Sequence, residues 1–184
     1  MYAGGIITIA IIAAAVVGAI LWAVSASNRF KAMLVKIREA DSGIDVALTK
    51  RFDTLTKLLD VVKAYAKHEA DLITQTIQLR ASMGTEEKAE ASRRMDAAAQ
   101  QLNIVAEAYP ELRSSENYRQ LQAAIAETED HLQGARRVYN MNVSAFNQAI
   151  AQFPGSMVAG IARLSPQPFF EAEAGKRDDV KISL

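Results

Sequence analysis

Cysteine is absent, which excludes disulfides, thiolate metal ligands and a cysteine nucleophile. Histidine is almost as scarce: His68 and His131 are the only two, too few for a His-rich metal centre. Neither sign of charge is in excess, with 21 Lys+Arg against 21 Asp+Glu. Without a basic surplus, the surface as a whole has no electrostatic grip on nucleic acid or anionic lipid. Aromatic residues are 7% of the chain, with four prolines and nine glycines, a composition that suits helices better than sheets. Hydrophobic content of 50% against 23% charged excludes disorder as the dominant state. A chain of 184 residues fits one folded unit plus any targeting segment.

What the chain does have begins near its start. Residues 5–24 read GIITIAIIAAAVVGAILWAV, without a charge. Twenty helical residues rise about 30 Å, the hydrocarbon thickness of a bilayer. Trp22 stands near one end, where an indole favours the headgroup zone. A cleaved signal peptide would carry a basic start and a shorter apolar core; Met1, Tyr2, Ala3 and Gly4 bring no Lys or Arg, so an uncleaved anchor is expected. Arg29, Lys31, Lys36 and Arg38 follow the segment, and basic flanks are retained on the cytoplasmic side. The expected topology is a single pass through the cell membrane, with residues 1–4 outside and the rest cytoplasmic. Ala10, Ala14 and Gly18 recur every four residues, a small-residue stripe on which two such helices could pack.

The remainder steps by threes and fours. Leu48, Phe52, Leu55, Leu59, Val62, Ala66, Glu69 and Ile73 form one series; Met95, Ala98, Leu102, Val105 and Tyr109 a second; Tyr118, Leu121, Ile125, Thr128, Leu132, Ala135, Tyr139, Asn142, Phe146, Ala149 and Phe153 a third. Steps averaging 3.5 mark the seams of helices packed at a shallow angle. The fold class expected is all-α: an N-terminal transmembrane helix leading into an antiparallel, coiled-coil-like bundle of three to four helices. Breaks fall at residues 82–85, with Thr85 as cap, and at Tyr109-Pro110, because the residue before proline leaves the helical region. The third long helix starts at Ser114 or Ser115 and stops at Phe153-Pro154-Gly155. A helix continuous through Gly43 is preferred to a hairpin, and three long helices then run away from the membrane, back and away. The domain division is 5–24 transmembrane, 25–153 cytoplasmic bundle and 154–184 irregular tail, in which Phe169 and Phe170 must be buried on the bundle or on a partner.

Two stretches carry a family resemblance: KRFDTLTKLLDVVKAYAKHE at 50–69, and YPELRSSENYRQLQ at 109–122, continuing through ARRVYNMNVSAFNQAIAQFP at 135–154 to the Pro166-x-Pro168-Phe169-Phe170 tail. Together they resemble the LemA family over nearly the whole chain. The chain departs from the family pattern at Thr54-Leu55-Thr56-Lys57, where many members carry Ile-Pro-Asn, and at Phe146, where tyrosine is usual. The resemblance implies a membrane-tethered helical bundle with no established enzymatic activity, concerned with interaction or membrane organisation.

Residue by residue, the chemistry points the same way. His68-Glu69 lacks the second histidine of a zinc site, since position 72 is Leu72. No phosphate loop, catalytic triad or cation loop occurs, so no catalytic, metal or cofactor-binding residue is expected. Glu69 on a seam needs a partner, Arg136 being the candidate. Asn140 and Asn147, two turns apart with Arg136 one turn before, suggest either a polar stripe for a partner or interhelical bonds that set helix alignment; alignment is preferred. Arg136, Asn140, Asn147, Phe169 and Phe170 are the candidate interaction residues, and Ala10, Ala14 and Gly18 the candidate transmembrane packing residues. The expected partners are the bilayer and a protein or second copy, with neither nucleic acid nor a small-molecule substrate. The leading function is an interaction scaffold at the membrane, and the alternative a membrane-organising protein that oligomerises.

Overall fold

The computed structural model describes residues 2–74 and 83–170, with side chains from Ile7 onward. Met1, Ser82 of the expected break and residues 171–184 of the expected tail lie outside the described residues. Among the described residues there are six helices and no strand: α1 (Tyr2–Lys63), α2 (Lys67–Thr74), α3 (Thr85–Ala108), α4 (Pro110–Ser114), α5 (Glu116–Ala151) and α6 (Gly155–Ile161). The protein is all-α.

Helix α1 passes through Gly43 unbroken, with open space where a β-carbon would stand. Its end at Lys63 has no proline or glycine behind it. Ala64 and Tyr65 N–H instead bond the carbonyls of Val61 and Val62 three residues back, at 3.2 and 2.9 Å, the tightening typical of a last turn. Ala66 and Ala70 are then buried as α2 begins. Gly84, not Thr85, is the N-cap of α3, and Glu87 reaches back to accept its N–H at 2.9 Å. Pro110 occupies the first position of α4, where its missing N–H costs nothing. Ser115 Oγ accepts the N–H of Tyr118 at 3.3 Å, capping α5.

The chain divides into two compact units, Met1–Glu39 with Met141–Gln167, and Ala40–Asn140 with Pro168–Leu184. In the second, Ile44, Leu48, Leu55, Leu58, Leu59 and Val62 of α1 are buried, as are Met95, Ala98, Leu102 and Ala106 of α3 and Ile125, Leu132 and Tyr139 of α5. Burying each Leu-sized side chain contributes roughly 1.5–3 kcal/mol. Lys88 meets Asp41 and Asp45, and Arg51 meets Ser92 and Asp96, so α3 runs parallel to this stretch of α1. Helix α5 runs opposite to α3, because Tyr118 meets Asn103 and Arg136 meets Ser92. This corrects the expected alternation of away, back and away: α3 runs parallel to this stretch of α1, and α5 antiparallel to α3.

In the first unit, Phe30 and Ile37 of α1, Val143, Phe146 and Ile150 of α5, and Val158 and Ala159 of α6 are buried. Gly155 opens α6 where only glycine fits: a β-carbon would stand 2.5 Å from the Ala149 carbonyl oxygen and 3.3 Å from the Phe30 ring. Helix α6 ends in a Schellman motif, with Arg163 N–H bonding the Gly160 carbonyl at 3.2 Å and Leu164 N–H the Ala159 carbonyl at 3.0 Å. Arg163 takes the left-handed position, φ 52°. The tail expected to be irregular from 154 thus begins with two helical turns and continues without regular structure to Phe170. Phe153, placed on the seam by its spacing, is 80% exposed, because α5 ends at Ala151 and the stepping ends with it.

Candidate functional site

The tail is held by asparagine side chains of α5. An asparagine amide presents an N–H donor and a carbonyl acceptor side by side, so it can pair with both polar groups of one backbone residue. Within the second unit, Asn140 Nδ2 donates to the Phe170 carbonyl at 2.9 Å, and Phe170 N–H donates to Asn140 Oδ1 at 2.8 Å. Within the first, Asn147 Nδ2 donates to the Gln167 carbonyl at 2.9 Å, and Asn147 Oδ1 accepts the Gln167 N–H at 2.8 Å. The two pairings share one logic. Seven residues of helix rise about 10.5 Å, and three residues of extended chain about 10 Å, so a spacing of seven on α5 matches a spacing of three on the tail. Among the described residues both asparagines bond the C-terminal segment, in place of the helix alignment expected of them.

Around Phe170 the contacts become specific. Phe170 is 2% exposed, and its ring lies 4.9 Å, centroid to guanidinium carbon, beneath Arg136, a cation–π contact. Arg136 Nη2 also donates to Ser92 Oγ, and Tyr139 Oη donates to the Pro168 carbonyl at 3.1 Å. Phe169, the neighbouring ring, is 47% exposed. Four of the five candidate interaction residues are therefore engaged within the chain, and Phe169 is the one offered to solvent. Ala10, Ala14 and Gly18 are exposed along α1.

The second unit also holds charged groups that the apolar stepping did not single out. Lys88, 2% exposed, is held between Asp41 and Asp45, each at 2.8 Å. Burial alone would lower its pKa, but the two carboxylates outweigh it and leave it above the ordinary lysine value. Arg51, 3% exposed, pairs with Asp96 at 2.5 Å and Glu129 at 2.8 Å, and donates to Ser92 Oγ at 3.4 Å. Its Nε has no hydrogen-bond partner among the described residues. A signal for Lys88 was present: one heptad back from Met95 falls on it. The partner of Glu69 is Tyr109 rather than Arg136, the phenol donating at 3.3 Å, and the charge of Glu69 raises the Tyr109 pKa. Among the described residues, no three His, Asp or Glu side chains gather where a metal ion could be held.

These features define a helical-bundle protein whose C-terminal segment is strapped to its last long helix by side-chain-to-backbone bonds, and whose N-terminal helix is long and apolar enough to cross a membrane. The model of the LemA family matches residues 40–184, and the chain belongs to that family. The match starts at Ala40 rather than covering nearly the whole chain, so it includes the strap but not the apolar run. Among relatives, the chain is similar to Protein LemA of Metamycoplasma hominis, 29% identical over 153 residues, covering 80% of this chain and 70% of that protein.

Proposed function

We propose that this chain is a single-pass, membrane-anchored helical bundle that works as an interaction scaffold on the cytoplasmic face, without catalysis. One observation carries the anchor: every described side chain from Ile7 to Trp22 is exposed, and residues 5–24 bear no charge. An apolar helix bare on all sides needs an apolar solvent. The basic collar of Arg29, Lys31, Lys36 and Arg38 supports a cytoplasmic bundle. Tethering confines the bundle to the membrane plane and raises its effective concentration towards a membrane partner, so weak contacts suffice. The half-exposed Phe169, beside its buried neighbour, is the side chain placed for such a contact. A photo-reactive benzoylphenylalanine at Phe169, activated in intact membranes, should give discrete cross-linked species; recovery of uncross-linked chain alone would count against the scaffold. The exposed stripe of Ala10, Ala14 and Gly18 favours a second reading, a membrane-organising oligomer. In the same experiment, cross-links between copies alone, at the mass of a dimer or higher, would select it.

A further inference from the structure

Phe153, Met157 and Ile161 are 80, 61 and 85% exposed, a concentration of bare apolar surface at the end of α5 and along α6. Met157 and Ile161 are four residues apart and share one face of α6, while Val158 and Ala159 are buried. The helix is thus fixed to its own unit by one side and shows apolar side chains on another. Asn142 Nδ2 reaches the Lys36 carbonyl at 3.4 Å, which sets the register of two antiparallel helices. Nine residues further along α5, Ala151 is level with the residue nine before Lys36, namely Ser27. Phe153 then falls roughly level with Ser25, where the apolar run of α1 ends. A β-carbon at Gly155 would stand 3.3 Å from the Phe30 ring, so the start of α6 lies beside Phe30, between one and two helical turns past Ser25.

We infer that Phe153, Met157 and Ile161 form a second membrane contact, inserting at the headgroup–acyl boundary of the bilayer that α1 spans. The inference rests on the anchor proposed above. Two observations favour lipid over a second copy of the chain. By the register above, Phe153 lies near the end of the apolar run of α1, where Leu21 and Val24 are exposed as well. Residues 152–164 contain no acidic side chain, and Arg163 joins the exposed Arg29, Lys31 and Lys36 in the same unit, the sign that anionic headgroups attract. A short helix with apolar residues outward and basic groups at its rim lies in the interface plane rather than across it.

The test uses the full chain in lipid nanodiscs of phosphatidylcholine and phosphatidylglycerol, prepared with one copy or two per disc, with acyl chains brominated to quench indole fluorescence. Trp22 is the chain's only tryptophan and reports the anchor as it stands. In a Trp22→Phe background, Met157→Trp and Ile161→Trp report the patch, and Ile104→Trp, exposed on α3, serves as the aqueous control. Quenching by about twofold or more is expected at Trp22 and at both patch positions, with none at position 104. Quenching of Trp22 with both patch positions at the control level overturns the inference and leaves the anchor standing; loss of quenching at Trp22 as well overturns both. Patch indoles shielded from aqueous acrylamide only in discs holding two copies, and never quenched by bromine, would assign the surface to a second copy and overturn the lipid contact.

Discussion

Residues 7–24 and 40–62 belong to the same helix and treat their apolar side chains in opposite ways. In the first stretch Ile7, Ile9, Ile12, Val16, Leu21 and Val24 face outward on every side. In the second, Ile44, Leu48, Leu55 and Val62 turn to one side and are buried, while charged Lys50, Asp53 and Lys57 are not. Backbone geometry is common to both, so the difference lies in pattern: apolar all round calls for an apolar surrounding, and apolar on one stripe calls for a neighbouring helix. An exposed isoleucine acquires meaning only from the residues around it.

The sharpest way to test this contrast is to make one substitution in each stretch. Leu55→Ala should lower the stability of the detergent-solubilised protein by about 2–5 kcal/mol, because it opens a cavity in a packed seam. Leu21→Ala, outside any protein core, should shift the same denaturant transition by less than about 0.5 kcal/mol. Equal effects would erase the distinction.

A smaller effect separates the strap from both stretches. Asn140→Ala removes two hydrogen bonds to Phe170 and leaves the Phe170 backbone unpaired, so a loss of about 1–2 kcal/mol is expected. Proteolysis of the C-terminal segment should quicken while the main unfolding transition remains cooperative. An unchanged cleavage rate would mean that the strap is held by its rings alone.

The last contrast concerns the charge that the one-sided stretch does bury against. Lys88 has a raised pKa in the folded state, so its contribution to stability is complete below its unfolded value of 10.5 and fades as the pH rises through the folded value. Alkaline titration should therefore weaken the protein, and Lys88→Met should flatten that part of the pH–stability profile. A slope identical in the variant would place the alkaline sensitivity elsewhere.

Much of the architecture could be read directly from residue order. The all-α class and the break at Tyr109-Pro110 follow from spacing and proline chemistry, and the continuous helix through Gly43 from the need to keep the next helix from turning back through the bilayer. The turn at 64–66 could not, because Ala64, Tyr65 and Ala66 are ordinary helix residues, and the burial of Ala66 and Ala70 beside it leaves no mark in their order. The direction of α3, parallel to α1, was not legible either, because its ion-pair partners on α1 leave no mark in the apolar spacing. At the site, spacing identified Asn140, Asn147 and Arg136, and the adjacent rings of the tail identified Phe170, but not what each of them meets. Asparagine at a half-buried position announces a need for partners without naming them, and backbone partners leave no mark in side-chain order. Lys88 and Arg51 escaped for a related reason: a search for apolar steps passes over a charge whose carboxylate partners lie about 40 residues or more away.

The central claim, that residues 5–24 cross the bilayer and leave the bundle on the cytoplasmic side, has a direct test because the chain contains no cysteine. Ala3→Cys and Ile104→Cys, made separately, can be challenged in whole cells with a membrane-impermeant maleimide and again after lysis. Labelling of position 3 in intact cells, with position 104 reacting only after lysis, is the predicted outcome. Labelling of position 104 from outside intact cells would contradict it.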